Sequence, residues 1–465
     1  MAAWGRSASL LPSVSNAAPF PRKQLLSASD DPADGAATVF GSILSVANSV
    51  VGAGMLSLPY LLRESSLLMG MVVIVITCTL SIYSFYILGA SCELAGRFDY
   101  KGLGAEAGGP HFAVMIQVAM ILYTAGACIS YAVLLGDFST GLVQAIDTEY
   151  WTAAKLLSSH GSAVTTIGLL VLTPLSCVRD LKHLEHSSAL ALLCDFVTVG
   201  VVIYSSANAP VAPDINWATP SPAVFLVMPI VAVACSTHYN APRFYEELKD
   251  RSLEKMGQLS VAAMGLATLV YIVVSVAGYL QFGGATKGDI LNCYSGQDTL
   301  AIVARLCLAT HIALTFPVIF NSTRANMHSL LWSHSEGEDP STTLPLSHFQ
   351  SAAYACVLVP VLVAVAANVP EVHEVLAFNG ALLGTLIAYT FPGYIFYSLE
   401  QRREATARKV DGAAGPAAAA DPGSRLWSVW APLGCVWFGL LMMVTGTVSI
   451  TMQKLGLVTI SATGH

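Results

Sequence analysis

Long apolar runs alternate with short polar separators along almost the whole chain, from residue 39 to residue 452. Runs of roughly 17–25 residues have the length that carries a helix across a lipid bilayer. Eleven spans are expected, near 39–62, 67–91, 112–144, 162–178, 187–208, 222–242, 257–282, 299–326, 349–368, 373–398 and 430–452. The pattern predicts an all-α membrane protein with eleven transmembrane helices. The remainder divides into a disordered cytoplasmic tail over 1–38, a ten-helix core over 39–398, a flexible Ala/Gly/Pro-rich cytoplasmic linker over 399–429, and residues 430–465 with the eleventh helix and an exterior C-terminus.

Two runs are interrupted. The first contains Ala47–Tyr60, ANSVVGAGMLSLPY, with a polar Asn48-Ser49 pair, Gly52, Gly54 and Pro59. Glycines lower helix propensity and let backbone approach a ligand. Unwound backbone survives in a membrane only where it lines a cavity and finds partners. The sixth run carries Pro229 and then Cys-Ser-Thr-His-Tyr-Asn at 235–240. Breaks five spans apart predict two inverted five-helix repeats plus one extra helix. Gly380 and Gly384, in the tenth run, read instead as close helix packing.

Composition agrees with the pattern. Of 465 residues, 54% are hydrophobic and only 11% charged, and the mean hydropathy is +0.63. A net charge of −7 without a basic patch gives no sign of a nucleic-acid partner. Protein partners are not legible. With the N-terminus in the cytoplasm, 17 Lys and Arg fall on the inner side against four outside (Arg63, Lys155, Lys287 and Lys454), which sets the orientation. The ten cysteines form no Cys-x-x-Cys pair, and most read as small buried hydrophobes, with Cys293, in a polar loop, the exception. His-Glu-x-x-His and Walker-type loops are missing, so no hydrolase, phosphate chemistry or cofactor is expected.

The two breaks leave backbone donors and acceptors free for the charged poles of a ligand. Freed N–H groups around Gly52, Ala53 and Gly54, at the positive end of a half-helix, supply donors for a carboxylate. Freed carbonyls near Cys235, Ser236 and Thr237 supply acceptors for an ammonium. Asp195 is an intramembrane carboxylate and so a functional candidate. His238 and His311 are the titratable candidates within spans, since histidine alone has an unperturbed pKa near neutrality, and His311 shares a helix face with Thr315 four residues on. Arg305 is expected to pair with a carboxylate or to reach an interface.

Asn48–Pro59 (NSVVGAGMLSLP) resembles the opening span of the amino acid/auxin permease family, above all its sodium-coupled neutral amino acid transporter branch. His238 with Tyr245–Ser252 (YEELKDRS) resembles that branch's sixth span and following loop, and Ala313–Phe320 (ALTFPVIF) its eighth. The resemblance runs from about residue 39 to 398. It implies a leucine-transporter-like fold and secondary-active symport of small neutral amino acids, coupled to sodium or protons. It places His238 in the substrate cavity and a sodium site at Asn48, Val51 and Thr315, near which Asp195 ligates the cation or carries the proton. Spans 1, 2, 6 and 7 would move against 3, 4, 8 and 9. Tyr123-Thr124 stands where several relatives carry Gln-Asn, which bears on side-chain selectivity. The membrane is expected to be the plasma membrane or a vacuolar or lysosomal one. The alternative reading is an amino-acid sensor on an endolysosomal or vacuolar membrane with little transport.

Overall fold

The computed structural model describes residues 35, 37–143, 156–178, 185–332, 346–369, 371–410 and 425–455. Most of the expected tail over 1–38, and 411–424 of the expected linker, lie outside the described residues. The described residues are helical, apart from loops and one isolated bridge between Ala37 and Leu248.

The first span is α1 (Val39–Val50) followed by α2 (Leu58–Ser65), joined through a 3-10 turn, Ala53–Ser57. Then come α3 (Leu67–Ala95), a short α4 (Tyr100–Gly108) and α5 (Pro110–Val143). Next are α6 (His160–Cys177) and α7 (Glu185–Ala207). The sixth run forms α8 (Val224–Ala234) and α9 (Ala241–Glu247), separated by Cys235–Thr237 and a 3-10 turn, His238–Asn240. The series continues with α10 (Leu253–Phe282), α11 (Thr299–Trp332), α12 (His348–Ala366), α13 (Val372–Thr406) and α14 (Leu426–Met452).

Among the described residues, nine helices are long and apolar enough to cross a membrane, or ten if the bent α1–α2 pair is one span. The expected eleven is not reached on this measure. The reason is the second break, which divides 222–242 into helices of 11 and 7 residues, each too short to qualify.

Helix starts follow local chemistry. Thr38 caps α1 through Gly41 N–H at 3.1 Å, and Asp99 caps α4 through Gly102 N–H at 2.6 Å. Ser347 and Gln350 form a reciprocal capping box at α12. Pro59 lies in the first turn of α2, where its missing N–H costs nothing. Large apolar residues such as Leu170, Phe349 and Trp437 remain exposed, as a lipid-facing surface requires.

Packing separates two groups. Helix α10 packs on α1, α2 and α3, and α8 on α2 and α3. Helix α5 packs on α6, α11 and α12. Helix α7 touches both groups, through α11 and through α1 and α10. Helix α14 lies against α8 and α13. Gly380 brings α13 against α8 so closely that a Cβ there would lie 2.1 Å from the Pro229 carbonyl oxygen. The helix after α13's apolar part runs on to Val410, so the expected linker begins inside a helix. Arg402 and Ser398 hold that extension to α4, donating to the Ala107 carbonyl at 3.1 and 2.7 Å.

Candidate functional site

The first break begins where α1 ends at Val51, and Gly52 continues in extended conformation (φ −146°, ψ −158°). The turn that follows starts at Ala53, and the leading N–H groups of any helix lack partners within it. In the second break, Cys235 N–H still bonds to Val231 O and Ser236 N–H to Val233 O, both at 2.9 Å. The side-chain hydroxyls of Ser236 and Thr237 are buried without a hydrogen-bond partner among the described residues. Asn48 Oδ1, near the end of α1, is in the same condition. Native structures leave few buried polar atoms unpaired, and such atoms mark places for water, ions or ligands.

The two breaks meet. A Cβ on Gly54 would lie 3.2 Å from both Cα and Cβ of Ala234, so the absence of a side chain lets the 3-10 turn of break one reach the end of α8. Tyr271, on α10, puts its hydroxyl 2.5 Å from Val50 O and 2.6 Å from Ala234 O. One phenol therefore serves the last carbonyls of both leading half-helices, with a single proton to share. Tyr123, on α5, donates to Ser236 O at 3.2 Å, and Asn379 donates to Tyr123 O at 3.1 Å.

Gly52 gives the second connection. A Cβ there would stand 3.3 Å from His311 Nε2 and 3.4 Å from Tyr131 Oη. His311 Nδ1 lies 3.1 Å from Asp195 Oδ2, and its Nε2 lies 3.5 Å from Thr315 Oγ1. Asp195 and His311 are wholly buried. Asp195, His311, Thr315 and Gly52 thus form one chain of neighbours across α7, α11 and the first break. Asn48 and Val51 are buried on the α1 side of that break.

His238 and Cys235 have neighbours of another kind. The His238 ring is held by α3, with Nε2 2.9 Å from Ser84 Oγ and 3.2 Å from Ser81 O, and it meets Phe85 edge-on. Cys235 Sγ lies 2.9 Å from Cys78 Sγ, also on α3. These side chains fasten the second break to α3, while the Ser236 and Thr237 hydroxyls stay unpartnered among the described residues. Arg305 bonds to loop carbonyls, Leu291 O at 2.9 Å and Tyr294 O at 3.1 Å.

Sequence reading missed Tyr271, Tyr131 and Cys78. The two tyrosines carried a signal, since a phenol inside an apolar run must find a polar partner. Cys78 carried none.

A family model described as transmembrane amino acid transporter protein matches residues 35–411. A Danio rerio protein provisionally named sodium-coupled neutral amino acid transporter 11 is 26% identical over 385 residues, covering 82% of this chain and 84% of its own. Amino acid transporter AVT6E of Arabidopsis thaliana is 26% identical over 374 residues, 77% of this chain and 75% of its own. Vacuolar amino acid transporter 5 of Schizosaccharomyces pombe is 25% identical over 377 residues, 79% of this chain and 87% of its own.

Proposed function

This chain belongs to the transmembrane amino acid transporter family, the amino acid/auxin permeases, and on that premise we propose that it carries small neutral amino acids across a bilayer in step with a cation. The family is one of membrane transporters, not of enzymes. The observation that carries the substrate reading is the meeting of the first break's 3-10 turn with the end of α8, at Gly54 and Ala234, beside the buried hydroxyls of Ser236 and Thr237, unpartnered among the described residues.

The substrate carboxylate binds the N–H groups of Gly52, Ala53 and Gly54, at the start of the turn leading into α2. The ammonium binds carbonyls of Cys235, Ser236 and Thr237, where the end of α8 adds negative potential. Neither pole needs a charged side chain, so the site without substrate buries no uncompensated charge.

The coupling cation answers to Asp195. The buried carboxylate beside His311 is answered either by a proton taken up by the pair or by a sodium ion at Asn48, Val51 and Thr315. The names of the sodium-coupled relatives support sodium as the physiological ion. Gly52 lies against His311 and Gly54 against the end of α8, so one short segment links cation and substrate.

Counting α8 and α9 as one broken span beside α1 and α2 gives eleven, in a leucine-transporter-like inverted repeat. The group holding α1, α2, α3, α8, α9 and α10 rocks against the group holding α5, α6, α11 and α12. The Lys/Arg asymmetry supports a cytoplasmic N-terminus. The membrane is the plasma membrane or that of a vacuole-like compartment, as one relative's name suggests.

Uptake of radiolabelled neutral amino acids into proteoliposomes, with sodium and pH gradients imposed separately, tests the reading. Gradient-driven uptake is expected; its absence under both gradients overturns transport.

A further inference from the structure

The ten cysteines among the described residues are all free, and no sequence motif joins any two of them. One pair is placed at the machinery. Cys78 Sγ, on α3, and Cys235 Sγ, where α8 ends, are 2.9 Å apart although 157 positions separate them in sequence. A disulfide has a sulfur–sulfur distance of roughly 2.05 Å, so the two atoms need to close by only about 0.9 Å. Cys177 and Cys356, between α6 and α12, stand 3.9 Å apart and have farther to move.

We propose that Cys78 and Cys235 form a reversible disulfide that pins the second break to α3 and halts transport, making the pair a modification site for a small peroxide. The site is built for such an effect. The break leaves the helix at Cys235 and re-enters one after His238, and His238 is already gripped by Ser81 and Ser84 of the same α3. Helix α3 is in turn tied to α13, where Ser81 Oγ and Tyr389 Oη are 2.7 Å apart. A covalent bond at Cys235 fixes both ends of the segment that carries the Ser236 and Thr237 carbonyls. Helix α3 and the break belong to the same rocking group, so the bond acts on those carbonyls themselves, which no longer adjust as the substrate enters and leaves.

The chemistry balances with hydrogen peroxide as oxidant. One thiolate attacks a peroxide oxygen, the O–O bond breaks, and a sulfenic acid forms with release of water after proton transfer. The second thiol displaces the sulfenic hydroxyl as a second water, and the sulfur–sulfur bond forms. Two thiols and one peroxide give one disulfide and two waters. Hydrogen peroxide is small and uncharged, so its passage to two buried thiols carries no cost of burying a charge. This inference rests on the transport reading for its consequence, while the bond itself does not.

The test uses the full chain in proteoliposomes, first reduced, then treated with hydrogen peroxide, with Cys177 and Cys356 replaced by Ser throughout. Mass spectrometry of alkylated digests reads the Cys78–Cys235 linked peptide, and labelled uptake reads function. The linked peptide is expected to appear as uptake falls tenfold or more, both reversed by dithiothreitol, while Cys78→Ser retains uptake under peroxide. Cys78→Ala serves if Cys78→Ser fails to fold. Absence of the linked peptide overturns the proposal, as does equal inhibition of a serine variant or a linked protein that transports normally. If the reduced protein shows no uptake, the transport reading has failed, and the peptide alone decides whether the bond forms.

Discussion

His311 Nδ1 and Asp195 Oδ2 face each other at 3.1 Å between α11 and α7, neither side chain exposed to any solvent. A charge in such a place is retained only when it is paired or used. Here the imidazole continues to Gly52 and to Thr315, so the pair reaches the unwound backbone.

Replacing the carboxylate removes the negative charge that a cation must answer. Asp195→Asn is expected to lower uptake at least tenfold and to flatten its dependence on sodium and on pH. Initial rates across a matrix of sodium concentration and pH check this. A variant with the wild-type sodium and pH profile would show that Asp195 is structural.

Contact between the breaks is tested at Gly54. A Cβ there meets Ala234 Cα and Cβ at 3.2 Å, so one segment must shift by a few tenths of an ångström. Gly54→Ala is expected to raise the substrate KM about tenfold, a loss of about 1.4 kcal/mol. Gly265, on α10, has room for a Cβ, with nothing among the described residues within 4 Å of where it would stand. Gly265→Ala should leave KM unchanged, since a methyl there gains helix propensity and meets no neighbour.

Tyr271 joins the two half-helices through one hydroxyl. Tyr271→Phe keeps the ring and strips the donor from Val50 O and Ala234 O, both buried. Leaving a buried acceptor unpaired costs about 1–3 kcal/mol. A lower melting temperature in detergent, with a reduced turnover, is the expected outcome.

How far the sequence speaks can be seen at individual residues. Gly52, Gly54 and Pro59 announced the first break because each is a poor fit to a lipid-crossing helix, and the polar run from Ser236 announced the second. The pairing of Asp195 with His311 was not legible, because the residues lie on separate helices and no periodicity reports which faces meet. Tyr271 signalled a need for a polar partner, but which carbonyls it serves was hidden for the same reason. His238 stood out as a titratable group, yet its partners Ser81 and Ser84 come from α3 and only the fold brings them together. The helix running to Val410 was obscured by polar composition, which cannot distinguish a linker from a solvated helix tied down by Arg402.

A pH effect on stability is expected outside the membrane. Asp289, in the loop between α10 and α11, is 3% exposed and accepts a bond from Leu291 N–H at 2.9 Å. Burial, and secondarily the charge of Asp137, pushes its carboxyl up to about 7, against the opposing effects of the Leu291 N–H and Arg305. The unfolded chain loses this proton near pH 3.8 while the folded protein keeps it to about pH 7. The folded state therefore loses stability as pH rises through that window and recovers none above it. Asp289→Asn can still cap Leu291 but does not titrate. Its melting temperature is expected to exceed that of the wild type at pH 8 and to approach it at pH 4; parallel profiles would contradict the assignment.

The central claim is that backbone groups of the two breaks hold both poles of a zwitterion. Competition against uptake of a labelled neutral amino acid, using the unlabelled amino acid, its N-acetyl derivative and its methyl ester, tests it most directly. The expected result is strong inhibition by the free amino acid and at least a hundredfold weaker inhibition by both derivatives, each of which lacks one pole. Equal inhibition by either derivative would contradict it.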